Sequence, residues 1–453
     1  MRPADTAPVR TRAPTPTTHS VVTGWGAGEA ADVTLVRPAG VEELRAAVES
    51  AGRRQALPRG MGRSYGDAAQ ISGGLVIETT RLKRIEFDSI RGTVTAQAGV
   101  TIGELLSEVV PAGWIVPVVP GTQHVTVGGA IASDIHGKNH GAVGTFGTHL
   151  EAISLLQADG GLVELRPGTT DGQFEAALGG MGLTGIVVDA RIKLSPIRGA
   201  MLSVDTDRVR SLDGALAALA ARGGPHRVAW LDLLCAQPGR GVVTRAEHVD
   251  APSEGTAVVR PRATVPRAWP TGALRPTIVR AFNALKYARA PRTERGRPVP
   301  FGRHMFPLDS LDAWPRVYGP RGFLQYQLVV PTGSEHVLET AIERLCRGRV
   351  PCYLAVLKDF GPANGAPLSF PLAGWTLALD MPRAAPGLEP LLEGFDRAVA
   401  EAGGRVYLSK DARLRPEMVR TMYPRLDEWR TARERLDPER VWCSDLARRV
   451  GLV

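Results

Sequence analysis

Residues 120–141 read Pro-Gly-Thr-Gln-His-Val-Thr-Val-Gly-Gly-Ala-Ile-Ala-Ser-Asp-Ile-His-Gly-Lys-Asn-His-Gly. The stretch is too rich in Gly and polar side chains for a buried strand, and too apolar for a disordered loop. Gly121, Gly128, Gly129 and Gly137 permit φ > 0 and let the backbone approach a ligand closely. Thr122, Thr126, Ser133, His136 and Asn139 offer hydrogen bonds at intervals. That combination suits a long, flat ligand with polar edges lying along the main chain. A bound cofactor is the first expectation.

Two further glycine clusters flank this one. In Arg59-Gly60-Met61-Gly62-Arg63-Ser64-Tyr65-Gly66-Asp67, consecutive amides can converge on an anion such as a pyrophosphate. A plain surface turn between strands is the other reading. Residues 179–185 contain a literal G-x-G-x-x-G at Gly180, Gly182 and Gly185. The dinucleotide fingerprint must follow a strand and open a helix. Here the β-branched, alternating residues 186–194 that follow read as a strand, so a Rossmann site fails on context.

With 453 residues the chain is long for one core, and two domains are expected. Helices are predicted over 41–52 and 101–110, with strands at 32–37 and 75–78. A hairpin over 150–165 turns at Asp159-Gly160-Gly161. These place an α+β cofactor domain at 21–197, after a disordered tail at 1–20. Strands at 227–234, 242–246, 323–330 and 374–380 alternate with helices at 212–222, 334–346 and 386–402. They predict an antiparallel sheet covered by helices, a substrate domain over 198–405. A closing helical segment occupies 406–453.

The four cysteines have no metal-ligand or C-x-x-C spacing, so reduced thiols and no metal are expected. No apolar run reaches the roughly 18 residues of a membrane span. The N-terminal residues lack the apolar core of a signal peptide. A protein cytoplasmic or peripheral to the membrane is expected, with the periplasmic side left open. The net charge of +9 comes from arginine, since only six residues are lysine. Residues 286–303 are strongly basic and are expected to form a mobile loop. Such a loop is either simple solvated surface or attracted to phosphate on a lipid surface, a substrate or a nucleic acid. Nucleic acid is disfavoured because no aromatics are interleaved for stacking.

The residues 59–67, 120–140 and 182–186 resemble the FAD-binding domain of the vanillyl-alcohol-oxidase superfamily. Within it the chain is similar to the decaprenylphosphoryl-β-D-ribose 2′-oxidase family. The likeness continues through Tyr-Gly-Pro-Arg-Gly-Phe-Leu-Gln-Tyr-Gln (318–327), Ala-Pro-Leu-Ser-Phe-Pro (366–371), Tyr-Leu-Ser-Lys-Asp (407–411) and Ser-Asp-Leu-Ala-Arg-Arg (444–449). It implies a two-domain α+β flavoprotein whose C-terminal segment returns to the FAD domain. It implies FAD held by the Arg59–Gly66 loop, by Gly121, Thr122, Thr126, Val127, Gly128, Gly129, Ser133, Asp134, Ile135 and His136, and by Ile186 and Tyr407. Ser64 stands where many relatives carry a flavin-linking histidine, so the FAD is expected to be noncovalent. Ala378 replaces a cysteine that family members commonly place beside the flavin.

The implied reaction removes hydride from the C2 hydroxyl of a phospho-ribofuranoside, leaving a 2-keto sugar for a separate NAD(P)H-dependent reductase. Oxidation of a nucleoside, aminosugar or alditol is the runner-up; a noncatalytic phosphate-binding protein is the rival from another class. Lys410, between Ser409 and Asp411, is the expected cation for the flavin pole that gains negative charge on reduction. His136 is either a structural histidine or a contact to flavin or substrate hydroxyl. Tyr65 either relays a proton or only stacks. Gln325 and Gln327 share one strand face and, with Tyr318, are expected to bind sugar hydroxyls. Lys358 is expected to bind phosphate, its alternative being an ordinary strand-end lysine.

Overall fold

The computed structural model describes residues 16–52, 54–168, 171–221, 223–250, 256–269, 274–348 and 350–453. The apolar runs of the first 200 residues build two small sheets. In the first, Ala31–Val36 and Ala56–Arg59 flank Leu75–Glu78 in parallel, and Thr17–Val22 adds an antiparallel edge. The helix Val41–Ala51 buries Leu44, Ala47 and Val48 against this sheet. The second sheet is antiparallel, in the order Ile85–Asp88, Thr93–Gln97, Ile186–Lys193, Leu150–Leu156, Leu162–Leu165.

The helix Ile102–Val109 begins on a capping box. The Glu104 amide donates to Thr101 Oγ1 at 3.2 Å, and the Thr101 amide donates to Glu104 Oε2 at 2.7 Å. Losing such a cap costs about 1 kcal/mol. The box fixes where the helix starts, and so which face (Ile102, Leu105, Leu106, Val109) packs beneath the glycine segment.

The second half forms one antiparallel sheet of eight strands. Their order is Thr293–Pro300, Met201–Val209, Gly241–His248, His226–Leu231, Leu354–Phe360, Gly374–Pro382, Phe323–Pro331, Arg405–Val406. The period of two divides its residues between the faces. Ala229, Leu231, Val243, Ala355, Leu357, Leu377, Leu379, Tyr326 and Leu328 point toward the helices Leu212–Ala220, Glu335–Arg347 and Leu388–Glu401 and share their core. The other face turns toward the glycine segment. The closing helices Pro416–Met422, Leu426–Leu436 and Asp445–Val450 pack back on the first sheets. Arg433 donates to Leu183 O, and Arg449 pairs with Asp67 at 2.8 Å.

Two expectations need correction. Residues 286–303 are not a loop: they finish the helix Pro276–Arg289 and form the edge strand Thr293–Pro300, paired along Met201–Val209. Backbone pairing with an existing edge is insensitive to side-chain charge, so a basic composition does not prevent it. The expected tail likewise ends early, because Thr17–Val22 is already a strand; residues 1–15 lie outside the described part.

Candidate active site

The register of the large sheet arranges one wall of the site. Across neighbouring strands, Gln325 lies opposite Asp380 and Asp380 opposite Leu354. Gln327 lies opposite Ala378, Ala378 opposite Val356, Val356 opposite Trp230 and Trp230 opposite Val242. Thr376 lies opposite Lys358. The wall is therefore polar where Gln325, Gln327, Thr376, Lys358 and Asp380 meet, and apolar along Val356, Trp230 and Val242.

Facing it are the glycine segments. Together they enclose a cavity of about 690 Å³ whose lining runs from Arg59–Tyr65 through Gly121, Thr126, Gly129, Ser133 and His136 to Gln325, Lys358 and Lys410. The cradle fits FAD. A Cβ at Gly60 would lie 2.3 Å from Thr126 Oγ1, so only glycine lets the two loops close on each other, whereas a Cβ at Gly121 would meet nothing within 4 Å. Gly62 needs its left-handed φ of 60°. Gly121, Gly128, Gly129 and Gly137 do not adopt positive φ; at Gly128 and Gly137 the value is closeness, with a Cβ that would lie 3.0 Å from Ala98 and 2.5 Å from Asn139. Arg63 rests on the Trp25 ring at 3.6 Å. Its Nε, His136 Nδ1 and Gln327 Oε1 are buried without a protein partner, polar atoms available to a ligand.

A hydrogen-bonded chain crosses between the walls. Thr376 Oγ1 donates to Leu328 O at 2.8 Å, which leaves it only to accept from Gln327 Nε2 at 2.9 Å. The second hydrogen of that amide then points at His136 Nε2, 3.1 Å away. His136 is packed among Phe360, Phe370 and Tyr407, and Tyr407 OH donates to Ser133 O at 2.7 Å.

Burial dominates the electrostatics. It holds His136 well below its usual value, and Lys358 and Lys410 add to the effect. Burial also pushes Lys358 and Lys138 down to about 7 each, the former with help from Lys410. Lys410 is lowered by burial, with Asp380 opposing the shift. Asp380 is raised by burial, against its Gln325 hydrogen bond of 2.5 Å and the charge of Lys410. Tyr65 is driven up by burial and then by Asp380.

Most of the expected residues converge here. Arg59 to Tyr65, Gly121, Thr122, Thr126, Gly128, Gly129, Ser133, Ile135, His136, Ile186, Gln325, Gln327, Lys358, Ala378, Tyr407 and Lys410 all line the cavity. Four do not. Gly66 is wedged on Asp411, where a Cβ would come within 1.9 Å of its carbonyl oxygen. Val127 is fully buried in the core. Asp134 is buried and spent on Ser369 (2.5 Å), Asn364 (2.6 Å) and the Gly147 amide (3.0 Å), a link between domains. Tyr318 stacks on Phe323 at 4.2 Å, on the same sheet face as Gln325, and its hydroxyl engages Asp380 rather than the cavity itself.

Sequence reasoning missed Asp380, Lys138, Lys286 and Trp230. Lysine scarcity was the available signal: Lys138, Lys286, Lys358 and Lys410, four of six in the chain, line this one cavity.

Residues 34–166 match the FAD binding domain family, and residues 379–450 match the D-arabinono-1,4-lactone oxidase family. Among solved structures, the xylooligosaccharide oxidase of Myceliophthora thermophila has the same fold over 94% of this chain and 95% of its own. Its TM-score is 0.69 at 17% identity. BBE-like 1 of Physcomitrella patens has the same fold over 91% of this chain and 90% of its own, with a TM-score of 0.65 at 14% identity. In sequence, the chain is 39% identical to the decaprenylphosphoryl-β-D-ribose oxidase of Mycolicibacterium smegmatis, over 97% of this chain and 99% of that one. With an FAD cradle closed against a polar sheet face around a lysine-rich cavity, the chain is an FAD-dependent oxidoreductase that belongs to the decaprenylphosphoryl-β-D-ribose oxidase family.

Proposed function

We propose that the protein oxidises the C2 hydroxyl of a polyprenyl-phosphoryl-β-D-ribofuranoside to the 2-keto sugar. The observation that carries this reading is the gradient along one sheet face. Hydroxyl-binding amides (Gln325, Gln327) and a lysine suited to phosphate (Lys358) give way to an apolar arm lined by Val356, Trp230 and Val242. Sugar, phosphate and prenyl chain follow each other in that order in such a substrate.

Bound FAD supplies the hydride acceptor. Three side chains compete for the hydroxyl proton, and two are poor acceptors. The Tyr65 phenol is held protonated by burial. The Nε2 lone pair of His136 already accepts from Gln327. Lys410 remains: desolvation lowers its proton affinity, so a neutral Nζ becomes accessible and takes the hydroxyl proton. Asp380 then steadies the resulting ammonium. Gln325 and Gln327 orient the ribose, and His136 presents its Nδ1–H. Lys358, near neutrality when the site is empty, takes up a proton as the phosphate docks.

The 2-keto product is one reduction away from the arabinose configuration, so the consuming step is an NAD(P)H-dependent keto-reductase. The test is anaerobic bleaching of the flavin absorbance against a panel of phosphoribosyl lipids, nucleosides and alditols. Bleaching by the phosphoribosyl lipids alone is expected; bleaching by an alditol or nucleoside instead overturns the substrate.

A further inference from the structure

Among the described residues, nine large apolar side chains are exposed, and three of them stand on the helix Pro276–Arg289: Ile278 (54%), Phe282 (62%) and Leu285 (49%). Their spacing of four and three residues places them in one stripe. The opposite side of the helix is fastened to the sheet domain. Asn283 donates to Asp232 Oδ1 at 3.0 Å, Tyr287 OH donates to Val209 O at 3.2 Å, and Arg280 Nε donates to Leu234 O at 3.0 Å. The helix therefore presents its apolar stripe outward, the reverse of an ordinary surface helix.

The charge around the stripe has one sign. Residues 275–292 hold no carboxylate; Arg280 and Lys286 face the sheet domain, which leaves Arg275, Arg289 and Arg292 as the remaining cations of the segment. A second copy docking here would bring like charges together. An anionic surface would neutralise them. The helix also borders the cavity: Lys286 reaches inward, its Nζ 4.0 Å from the Trp230 ring centre, and both residues line the apolar arm. Leu308, 39% exposed, lines the same cavity.

We propose that the helix Pro276–Arg289 docks on an anionic lipid bilayer, with Ile278, Phe282 and Leu285 entering the boundary between headgroups and acyl chains. Arg289 and Arg292 face the lipid phosphates. Docked this way, the apolar arm opens toward the bilayer, and a prenyl chain reaches the site past Trp230 without crossing water. That last step rests on the lipid-linked substrate reading; the docking itself does not.

The test is flotation of the holoenzyme with phosphatidylcholine vesicles, with and without phosphatidylglycerol. Wild type should float with the anionic vesicles and far less with neutral ones, and lose binding at high salt. The triple variant Ile278→Ser/Phe282→Ser/Leu285→Ser should partition roughly tenfold less. Arg289→Glu/Arg292→Glu should lose the preference for anionic lipid. Flavin absorbance and melting temperature report folding; if the triple variant fails them, Phe282→Ser alone is used. Equal flotation of wild type and the serine variant overturns the proposal. So does no flotation of wild type, or a wild-type dimer that the serine variant dissolves. Flavin bleaching by detergent-dispersed polyprenylphosphoryl ribose separates the two readings. Flotation without bleaching overturns the substrate, and bleaching without flotation overturns the docking.

Discussion

The Gln327 side-chain amide donates to His136 Nε2 across 3.1 Å, joining the sheet of one domain to the glycine segment of the other. Because Thr376 can only accept from the same amide, the amide cannot flip, and His136 must carry its proton on Nδ1. The histidine is thus a neutral ring of fixed tautomer whose Nδ1–H has no partner among the described residues.

This tautomer is directly observable. Nitrogen-15 NMR of the labelled imidazole should show a neutral Nδ1–H ring that stays neutral below the usual histidine value of 6.5. Gln327→Glu should raise the His136 pKa by setting a carboxylate against it. An Nε2–H signal in wild type would sink the assignment.

Lys410→Ala should retain FAD, since the glycine loops Arg59–Tyr65 and 121–136 supply most of the cradle, yet slow flavin reduction by a few hundredfold. That corresponds to about 3–4 kcal/mol for one preorganised contact. Lys410→Arg should recover little, because a guanidinium does not release its proton. Rapid-mixing reduction kinetics isolate this step. Near-normal reduction in the alanine variant removes Lys410 from the chemistry.

The reduction rate should climb with pH as Lys410 loses its proton, with a midpoint below the free-lysine value of 10.5. In Asp380→Asn the carboxylate that favours the ammonium is gone, so the midpoint should move lower still. A shift upward would exclude the pairing.

Stability carries its own pH signature. Lys358 has a folded value of about 7 against 10.5 for the free side chain. Between these limits the unfolded chain binds more protons than the folded one, so stability rises with pH across that window. Lys358→Met should flatten the rise by up to one proton's worth, read from chemical denaturation at several pH values. An unchanged slope would mean that Lys358 titrates normally.

Acid or heat denaturation should release all the flavin, because Ser64 offers no nucleophile for a histidyl-type linkage. Colour remaining on the precipitated polypeptide would refute noncovalent binding.

Much of this protein is specified locally. The glycine clusters at 59–66 and 120–141 already define a close, polar cradle, because glycine spacing is a property of neighbours in the chain. The two-residue period of a strand suffices to place Gln325 and Gln327 on one face. Helix signals over 41–52 and 101–110 are equally local, and the helices Val41–Ala51 and Ile102–Val109 stand there. Strand order is not local. Asp380 acquires meaning only because its strand pairs between two others, setting it opposite Gln325 and within the field of Lys410. The same pairing brings together His136 and Gln327, 191 residues apart, and collects four of the six lysines in one cavity. Their lowered proton affinities follow from shared burial, a quantity no single segment possesses. Residue type and local period thus determined the materials of the site, while long-range pairing and desolvation decided which of them meet and what protons they hold.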